Sequence, residues 1–391
     1  MPDIALLALF LLAITIGYLL GKWDGKNKKT NKYQTFNKDY FVGLNYLLNE
    51  QTDKAIDTFI QALNSDTDTD TVDTYLALGH FFCKRGEVDK SIQIHQDLLA
   101  RTSLTSEQSE KVQLALSQDY LSAGLFDRAE AMLRELVDRN PSASEEVLHT
   151  LSCIYEQEKE WGKAIKIAER LKSYGARYGK VLAQYYCELA EQYLAMNDRL
   201  RARKLLKMAM NRDKLCIRAS LIQGLIEFEE GNLKDASKVF ERVLKQDSRY
   251  FPLAVPYLEK IYRKIGNSHS LGVFLASSLK EKPTTATILA MTRIIHEQQG
   301  EKPAIIFLVQ QLREHPTLKG LNALLGLQLE TGEKVSEQGV RLFMDLTTQI
   351  VEVKPVYKCS ECGFMGKDMH WQCPKCKGWN SIAPIEGLEG E

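Results

Sequence analysis

The chain has 391 residues, 44% hydrophobic and 26% charged, and its 51 basic and 51 acidic side chains leave a formal net charge of zero. That length suits a large core or a repeat array. The charge balance argues against non-specific nucleic-acid binding, which needs a basic surface, so no nucleic-acid partner is expected.

The first element is the uncharged run IALLALFLLAITIGYLL, Ile4 to Leu20. At ~1.5 Å per residue such a helix spans about 26 Å, enough for a thin inner membrane with little tilt. A cleaved signal peptide needs a positive leader and a small-x-small cleavage site. Here MPD precedes the run and GKW follows it, so residues 1–21 read as an uncleaved transmembrane anchor. Lys22, Lys26, Lys28, Lys29 and Lys32 crowd the linker 22–35, whereas Asp3 lies before the anchor. Positive flanks stay cytoplasmic, which predicts a single-pass protein with a short N-terminus outside and its body on the cytoplasmic side. The same lysines suit anionic headgroups, and are equally compatible with a solvated linker. Gly17 and Gly21 give the anchor a small-xxx-small face. That face packs on a partner's membrane helices, or the anchor only tethers.

Residues 36–350 repeat. GLNYLLNEQTDKAIDTFIQAL, GHFFCKRGEVDKSIQIHQDLL, SQDYLSAGLFDRAEAMLRELV, SCIYEQEKEWGKAIKIAERL, AEQYLAMNDRLRARKLLKMAM and GLIEFEEGNLKDASKVFERVL align from Gly43, Gly79, Ser117, Ser152, Ala190 and Gly224. Twelve residues on comes a second small residue: Ala55, Ser91, Ala129, Ala164, Ala202 or Ala236. Four further stands a bulky one, Phe59, His95, Leu133, Leu206 or Phe240, with Ala168 the exception. The unit recurs every 34 to 38 positions, the tetratricopeptide period of ~34 residues. Two small residues let paired helices approach closely, and the bulky one is expected to fill the groove against the next repeat. Asn140-Pro141 sits where this motif stops a helix. Two weaker units follow, PYLEKIYRKIGNSHSLGVFL and ILAMTRIIHEQQGEKPAIIFLVQQL, the latter with Ala304 at the small position. Gly320 to Glu330 and Glu337 to Val351 read as a last helix pair, making eight or nine hairpins.

Such a solenoid binds peptides or proteins on its concave face. Tyr40, Leu44, Leu76 and His80 stand where some members carry a Lys/Asn clamp for a C-terminal carboxylate, so a chaperone-tail adaptor is not expected. Leu114, Gln118, His149, Glu156, Glu191, Arg218 and Phe228 either line the groove or pack between helices. Catalytic patterns are absent. HEQQG at His296 has Gly300 where a zinc protease needs its second His, and reads as a helix ending at glycine. DTDTD, Asp66 to Asp70, resembles a calcium loop but lacks its Gly and bidentate Glu, so it reads as a polar turn. Cys83, Cys153, Cys187 and Cys216 stand singly on predicted helices as small hydrophobes. The protein is not expected to be an enzyme.

Residues 351–391 differ. KCSECGFMGKDMHWQCPKCKGW holds Cys359 and Cys362 as one C-x-x-C, with Cys373 and Cys376 as a second. Four thiolates so spaced suit one tetrahedral metal ion, Fe or Zn. A reducing compartment argues against disulfides. Gly363 permits a tight turn that aims N–H groups at sulfur, and Pro374 stiffens the second knuckle. His370 is a rival ligand, but four cysteines fill the shell. About 35 residues cannot build a core alone. Trp371, Trp379 and Ile382 are therefore expected to dock the unit on the array.

The CGF and CPKC knuckles resemble those of rubredoxins. The order of anchor, tetratricopeptide array and YKCSECGF…WQCPKCKGWNSIAPIEGL tail resembles the lipopolysaccharide assembly protein B family of Gram-negative inner membranes, most specifically over Tyr357 to Leu388. The expected fold is all-α: a tetratricopeptide-repeat superhelix with an N-terminal transmembrane helix and a small rubredoxin-like, zinc-ribbon-type knuckle domain. The resemblance implies a non-enzymatic adaptor that regulates lipopolysaccharide biosynthesis. It would help a membrane-anchored AAA+ zinc protease degrade the lipid A pathway deacetylase, UDP-3-O-acyl-N-acetylglucosamine deacetylase. A lipopolysaccharide-sensing inner-membrane protein would antagonise it. The family's metal cysteines map onto Cys359, Cys362, Cys373 and Cys376. The loop between the pairs is much shorter than in electron-transfer rubredoxins, which favours a structural site. An envelope-assembly scaffold with no proteolytic role and an iron redox module remain the other classes. The oligomeric state, a homo-oligomer included, stays open.

Overall fold

The computed structural model describes residues 42–43, 45–46, 48, 51–65, 72–139, 144–175, 177–330 and 337–387. The predicted anchor, the lysine-rich linker, the Asp66–Asp70 turn and Asn140-Pro141 lie outside the described residues, as do Tyr40 and Leu44. Among the described residues no helix is long and apolar enough to cross a membrane.

The chain divides into two compact units, Met1–Leu136 and Val137–Glu391. The first contains α1 (Thr52–Ser65), α2 (Val72–Lys84), α3 (Val88–Leu99) and α4 (Ser106–Ser122), and the boundary falls within α5 (Phe126–Arg139). Its core gathers Phe59, Tyr75, Phe82, Ile94 and Leu98. The second contains α6 (Glu145–Gln157), α7 (Trp161–Leu171), α8 (Arg177–Ala195), α9 (Arg199–Arg212), α10 (Ile217–Glu229), α11 (Leu233–Gln246), α12 (Val255–Ile265), α13 (Ser268–Glu281), α14 (Thr285–Gln299), α15 (Glu301–Glu314), α16 (Leu318–Glu330) and α17 (Glu337–Val353). A 3-10 segment, Ser248–Leu253, separates α11 from α12. The chain ends in strands β1 (Tyr357–Cys359), β2 (Met365–Gly366) and β3 (Ile382–Pro384).

Local chemistry sets the helix ends. Thr105 and Gln108 form a capping box on α4, each side chain accepting from the other's backbone N–H at 3.2 and 3.0 Å. That satisfies two of the donors a helix start leaves open. The α14 helix ends at Gly300, as the HEQQG stretch predicted. The turn inside successive hairpins carries one residue at positive φ: Gly86, Gly124, Lys159, Asn197, Gly231 and Gly266. Lys159 and Asn197 accept a conformation that usually selects glycine.

The repeat register is visible in the packing. Ala55, Ser91, Ala129, Ala164, Ala202 and Ala236 are all fully buried, and Ser117, Ser152 and Ala190 on the partner helices are buried too. The bulky residue does more than reach the next repeat. Phe240 on α11 sits over Gly224 of its own hairpin, where an added Cβ would lie 2.8 Å from the ring. It also stacks on Tyr257 of α12, with centroids 5.1 Å apart. His95 plays the same part in the first unit. It covers Gly79, and its Nδ1 pairs with Asp119 Oδ2 of α4 at 2.6 Å, both side chains buried. At Gly79 and Gly224 the residue is small because a ring occupies the space a side chain would need, and across the repeats the buried small positions bring paired helices close. Ala202→Leu is therefore expected to overpack the α8–α9 pair and cost ~1–3 kcal/mol, as are Ala129→Leu and Ala164→Leu in theirs. Unchanged melting curves in all three would refute this register.

Candidate metal centre

The ribbon begins where α17 ends. Strand β1 is central, with β2 and β3 antiparallel on either side in the order β2-β1-β3. Tyr357 faces Gly366 across one edge, and Cys359 faces Ile382 across the other. Two knuckles of one design follow, the first joining β1 to β2 and the second closed by its own bridge of Gln372 and Trp379. In the first, the Cys359 N–H donates to Phe364 O at 2.7 Å and the Gly363 N–H to Cys359 O at 3.1 Å. In the second, the Cys373 N–H donates to Gly378 O and the Lys377 N–H to Cys373 O, both at 2.9 Å. Gly363 and Lys377 hold the matching left-handed position, with φ of 71° and 59°. The tight turn expected at Gly363 is there, and Lys377 repeats it without glycine.

This geometry brings the four sulfurs together. Cys359 and Cys376 have Sγ atoms 3.8 Å apart, and Cys362 and Cys373 have theirs 3.6 Å apart. All four sulfurs lie within 4.8 Å of one another. A regular tetrahedron with Zn–S bonds of ~2.3 Å has edges of about 3.8 Å, so the donor set fits a metal of that size. Charge points the same way. Desolvation raises the Cys359 thiol, but Ser381 and the backbone N–H groups of Cys362 and Glu361 outweigh it and lower the value to about 6. At Cys376 the Gly378 N–H acts to lower it, yet desolvation and the other three thiols push it up to about 12. The Cys359 thiolate thus forms readily while Cys376 resists following, an imbalance a dication removes. His370 meets Phe364 edge-on and stands outside the group. Cys376 is the exposed ligand, whereas Cys359 and Cys373 are buried.

The ribbon's own core is three residues, Cys359, Cys373 and Ile382. The remainder is borrowed from the array. Trp371 stacks on Tyr250 at 6.0 Å, and Met369, Trp371 and Ala383 pack on the core around Phe240, Phe251 and Leu258. Tyr250 donates its hydroxyl to Ile382 O at 2.8 Å. Trp379 meets Trp161 and Tyr185 edge-on at 6.2 and 5.9 Å. The docking expected of Trp371, Trp379 and Ile382 is what the structure contains.

The predicted groove residues prove to be divided. Arg218, 3% exposed, pairs with Glu188 at 2.9 Å and Glu191 at 2.8 Å, and lies over the Trp371 ring at 5.9 Å. Glu156 accepts from Trp379 Nε1 at 3.1 Å and from Gln372 Nε2 at 2.8 Å. These two residues receive the ribbon. Leu114 is buried, and Phe228 packs on Tyr257, so both serve packing between helices. His149 lines a cleft of about 540 Å³ beside the second knuckle, with Cys153, Arg177, Tyr178, Cys376 and Trp379. One pairing went unforeseen. Cys187 on α8 and Cys216 before α10 stand singly in the sequence, yet their sulfurs are 3.8 Å apart in the interior.

Hairpins of this register, holding a four-cysteine ribbon on their own helices, define a tetratricopeptide-repeat protein with a rubredoxin-type metal-binding domain. The rubredoxin metal binding domain model matches residues 357–384, and tetratricopeptide repeat models match 74–108, 114–177 and 187–250. Lipopolysaccharide assembly protein B of Escherichia coli strain K12 is 35% identical over 387 residues, covering 98% of this chain and 99% of its own. That of Haemophilus influenzae is 31% identical over 393 residues, covering 97% and 98%. A solved tetratricopeptide repeat protein from Parabacteroides merdae matches 71% of this chain and 99% of its own at 12% identity, with a TM-score of 0.35 too low to argue from. The chain belongs to the lipopolysaccharide assembly protein B family.

Proposed function

We propose that this chain is a non-enzymatic inner-membrane adaptor that regulates lipopolysaccharide biosynthesis. The carrying observation is a likeness to lipopolysaccharide assembly protein B that runs through repeats and ribbon alike, over 98% of the chain. In this reading Ile4 to Leu20 anchors the protein with its bulk in the cytoplasm. The helical hairpins present surfaces to protein partners, and the ribbon completes the second unit. The partners are a membrane-anchored AAA+ zinc protease and the lipid A pathway deacetylase whose degradation the adaptor promotes. A lipopolysaccharide-sensing inner-membrane protein opposes it. Cys359, Cys362, Cys373 and Cys376 hold one Zn or Fe ion, which cross-links the two knuckles.

Anchoring confines adaptor and protease to one thin layer and raises their encounter probability without any new contact. Removing residues before Lys32 should leave a folded protein that no longer shortens the half-life of the deacetylase in cells. An unrelated single-span anchor of the same topology should restore the effect if tethering suffices, and fail to restore it if the helix itself is recognised. A deacetylase half-life indifferent to the presence of the full-length chain would sink the adaptor reading and leave the envelope scaffold. A red, reversibly reducible iron centre would favour the redox module instead.

A further inference from the structure

The second knuckle is a hairpin closed at its base by the pair Gln372 and Trp379, which bridge antiparallel to one another. The Asn380 N–H donates to Trp371 O at 2.8 Å just outside this pair, and the Cys373 N–H donates to Gly378 O just inside it. Cys373 and Cys376, two of the four ligands, lie within that loop. The side chains of both bridge partners donate to one carboxylate, Glu156 on α6. Gln372 Nε2 reaches Oε2 at 2.8 Å and Trp379 Nε1 reaches Oε1 at 3.1 Å. Glu156 belongs to the array, more than two hundred residues away in sequence. It is held in turn by the Tyr185 hydroxyl, which also donates to Oε1, and Ser152 lies 2.9 Å from that hydroxyl. Burial, with the adjacent carboxylate, holds the Tyr185 phenol well above its ordinary value, so it stays a donor.

We infer that Glu156 is a positioning residue for the metal: by stapling both strands of the hairpin base it sets how firmly Cys373 and Cys376 keep their ion. The inference rests on the four-thiolate reading. Groups that fix ligand orientation from outside the coordination sphere commonly change metal affinity by about 10- to 100-fold. Charge-assisted hydrogen bonds are the strong kind, so a carboxylate receiving three donors is a firm support. The other side of the ribbon is held differently, by Tyr250 on Ile382 O and by Lys282 on Glu386. Those contacts touch β3 and the segment after it, not the second knuckle. At the base of the second knuckle the array thereby adds this hydrogen-bonded staple to the ring contacts of Trp371 and Trp379.

The test is the rate at which the full-length, Zn²⁺-loaded chain gives up its metal to a chromophoric chelator. Glu156→Ala and Gln372→Ala should each speed release by at least about 10-fold. Glu156→Gln, which keeps one acceptor for Trp379 and can pair its amide with that of Gln372, should retain most of the wild-type rate. Tyr250→Phe should release metal near the wild-type rate. If Glu156→Ala also unfolds the array, visible as lost helical signal, Gln372→Ala carries the test from the ribbon side. Wild-type release from Glu156→Ala and Gln372→Ala would overturn the inference. So would Glu156→Gln leaking as fast as Glu156→Ala, or Tyr250→Phe speeding release as much as either. A wild-type chain that never holds one Zn²⁺ would instead sink the four-thiolate reading beneath it.

Discussion

Replacing Cys359 by serine is expected to empty the site and release the ribbon from the array while the helices stay folded. Metal content after dialysis against a chelator should fall from about one ion per chain to near zero, because structural zinc supplies ~10–16 kcal/mol to small domains of this kind. Little else is available. Cys359 is one of only three side chains in the ribbon's own core. Its surroundings also favour the thiolate, through Ser381 and two backbone N–H groups. Serine oxygen is shorter, harder and far less acidic. Once the knuckles loosen, Trp371 leaves Tyr250 and Trp379 leaves Trp161 and Tyr185. Tryptophan emission should shift to the red with the far-ultraviolet helical signal nearly intact. Full metal content in the variant, with unchanged emission, would make the four-thiolate assignment wrong.

The largest single loss of stability within the array should follow Phe240→Ala. The ring is fully buried, lies over Gly224 and stacks on Tyr257 at an interplanar angle of 7°. Truncation of a buried phenylalanine costs ~3–5 kcal/mol through lost transfer energy and the cavity left behind. A second substitution distinguishes this from generic damage. Gly224→Ala should destabilise the wild-type protein, since its methyl would fall 2.8 Å from the ring. In the Phe240→Ala background the same change should stabilise, because the clash is gone and alanine outperforms glycine in a helix by about 1 kcal/mol. Denaturant titration of the four proteins reads out the change of sign. Without that reversal, the packing of Phe240 on Gly224 is not what keeps this position small.

What could be read from sequence depended on whether the physics was local or repeated. The small positions stood out because one steric need recurs every few dozen residues, so Ala202 and Ala236 were legible beside each other. The four cysteines were legible because metal ligation imposes close spacing within a short segment. A left-handed turn residue was legible at Gly363, where glycine marks it, and not at Lys159 or Lys377, where the fold imposes the same φ on lysine. The seat of the ribbon was the least legible part. Glu156 and Arg218 were picked out as polar side chains suited to a groove, but sequence offers no signal that Gln372, Trp379 and Trp371 would be what they meet. The Cys187–Cys216 approach escaped for the same reason, since two solitary helical cysteines look alike whether or not their helices bring them together.

The distance along the chain between Glu156 and its ribbon partners sets an order of events during synthesis. Gln372 follows Glu156 by 216 residues, which at ~5–20 residues per second is roughly 10–40 s of translation. Helical hairpins form their contacts locally and fold within that interval. The nascent array therefore emerges with its receiving surface complete and nothing upon it. The ribbon leaves the ribosome after the array and lacks a core of its own until a metal ion arrives. Closure of this contact consequently waits on the ribbon, and its pace follows intracellular metal supply. In metal-starved cells, newly made chains should accumulate with folded hairpins and an undocked tail, open to proteolytic trimming after Val353 that chains finished under metal-replete conditions resist.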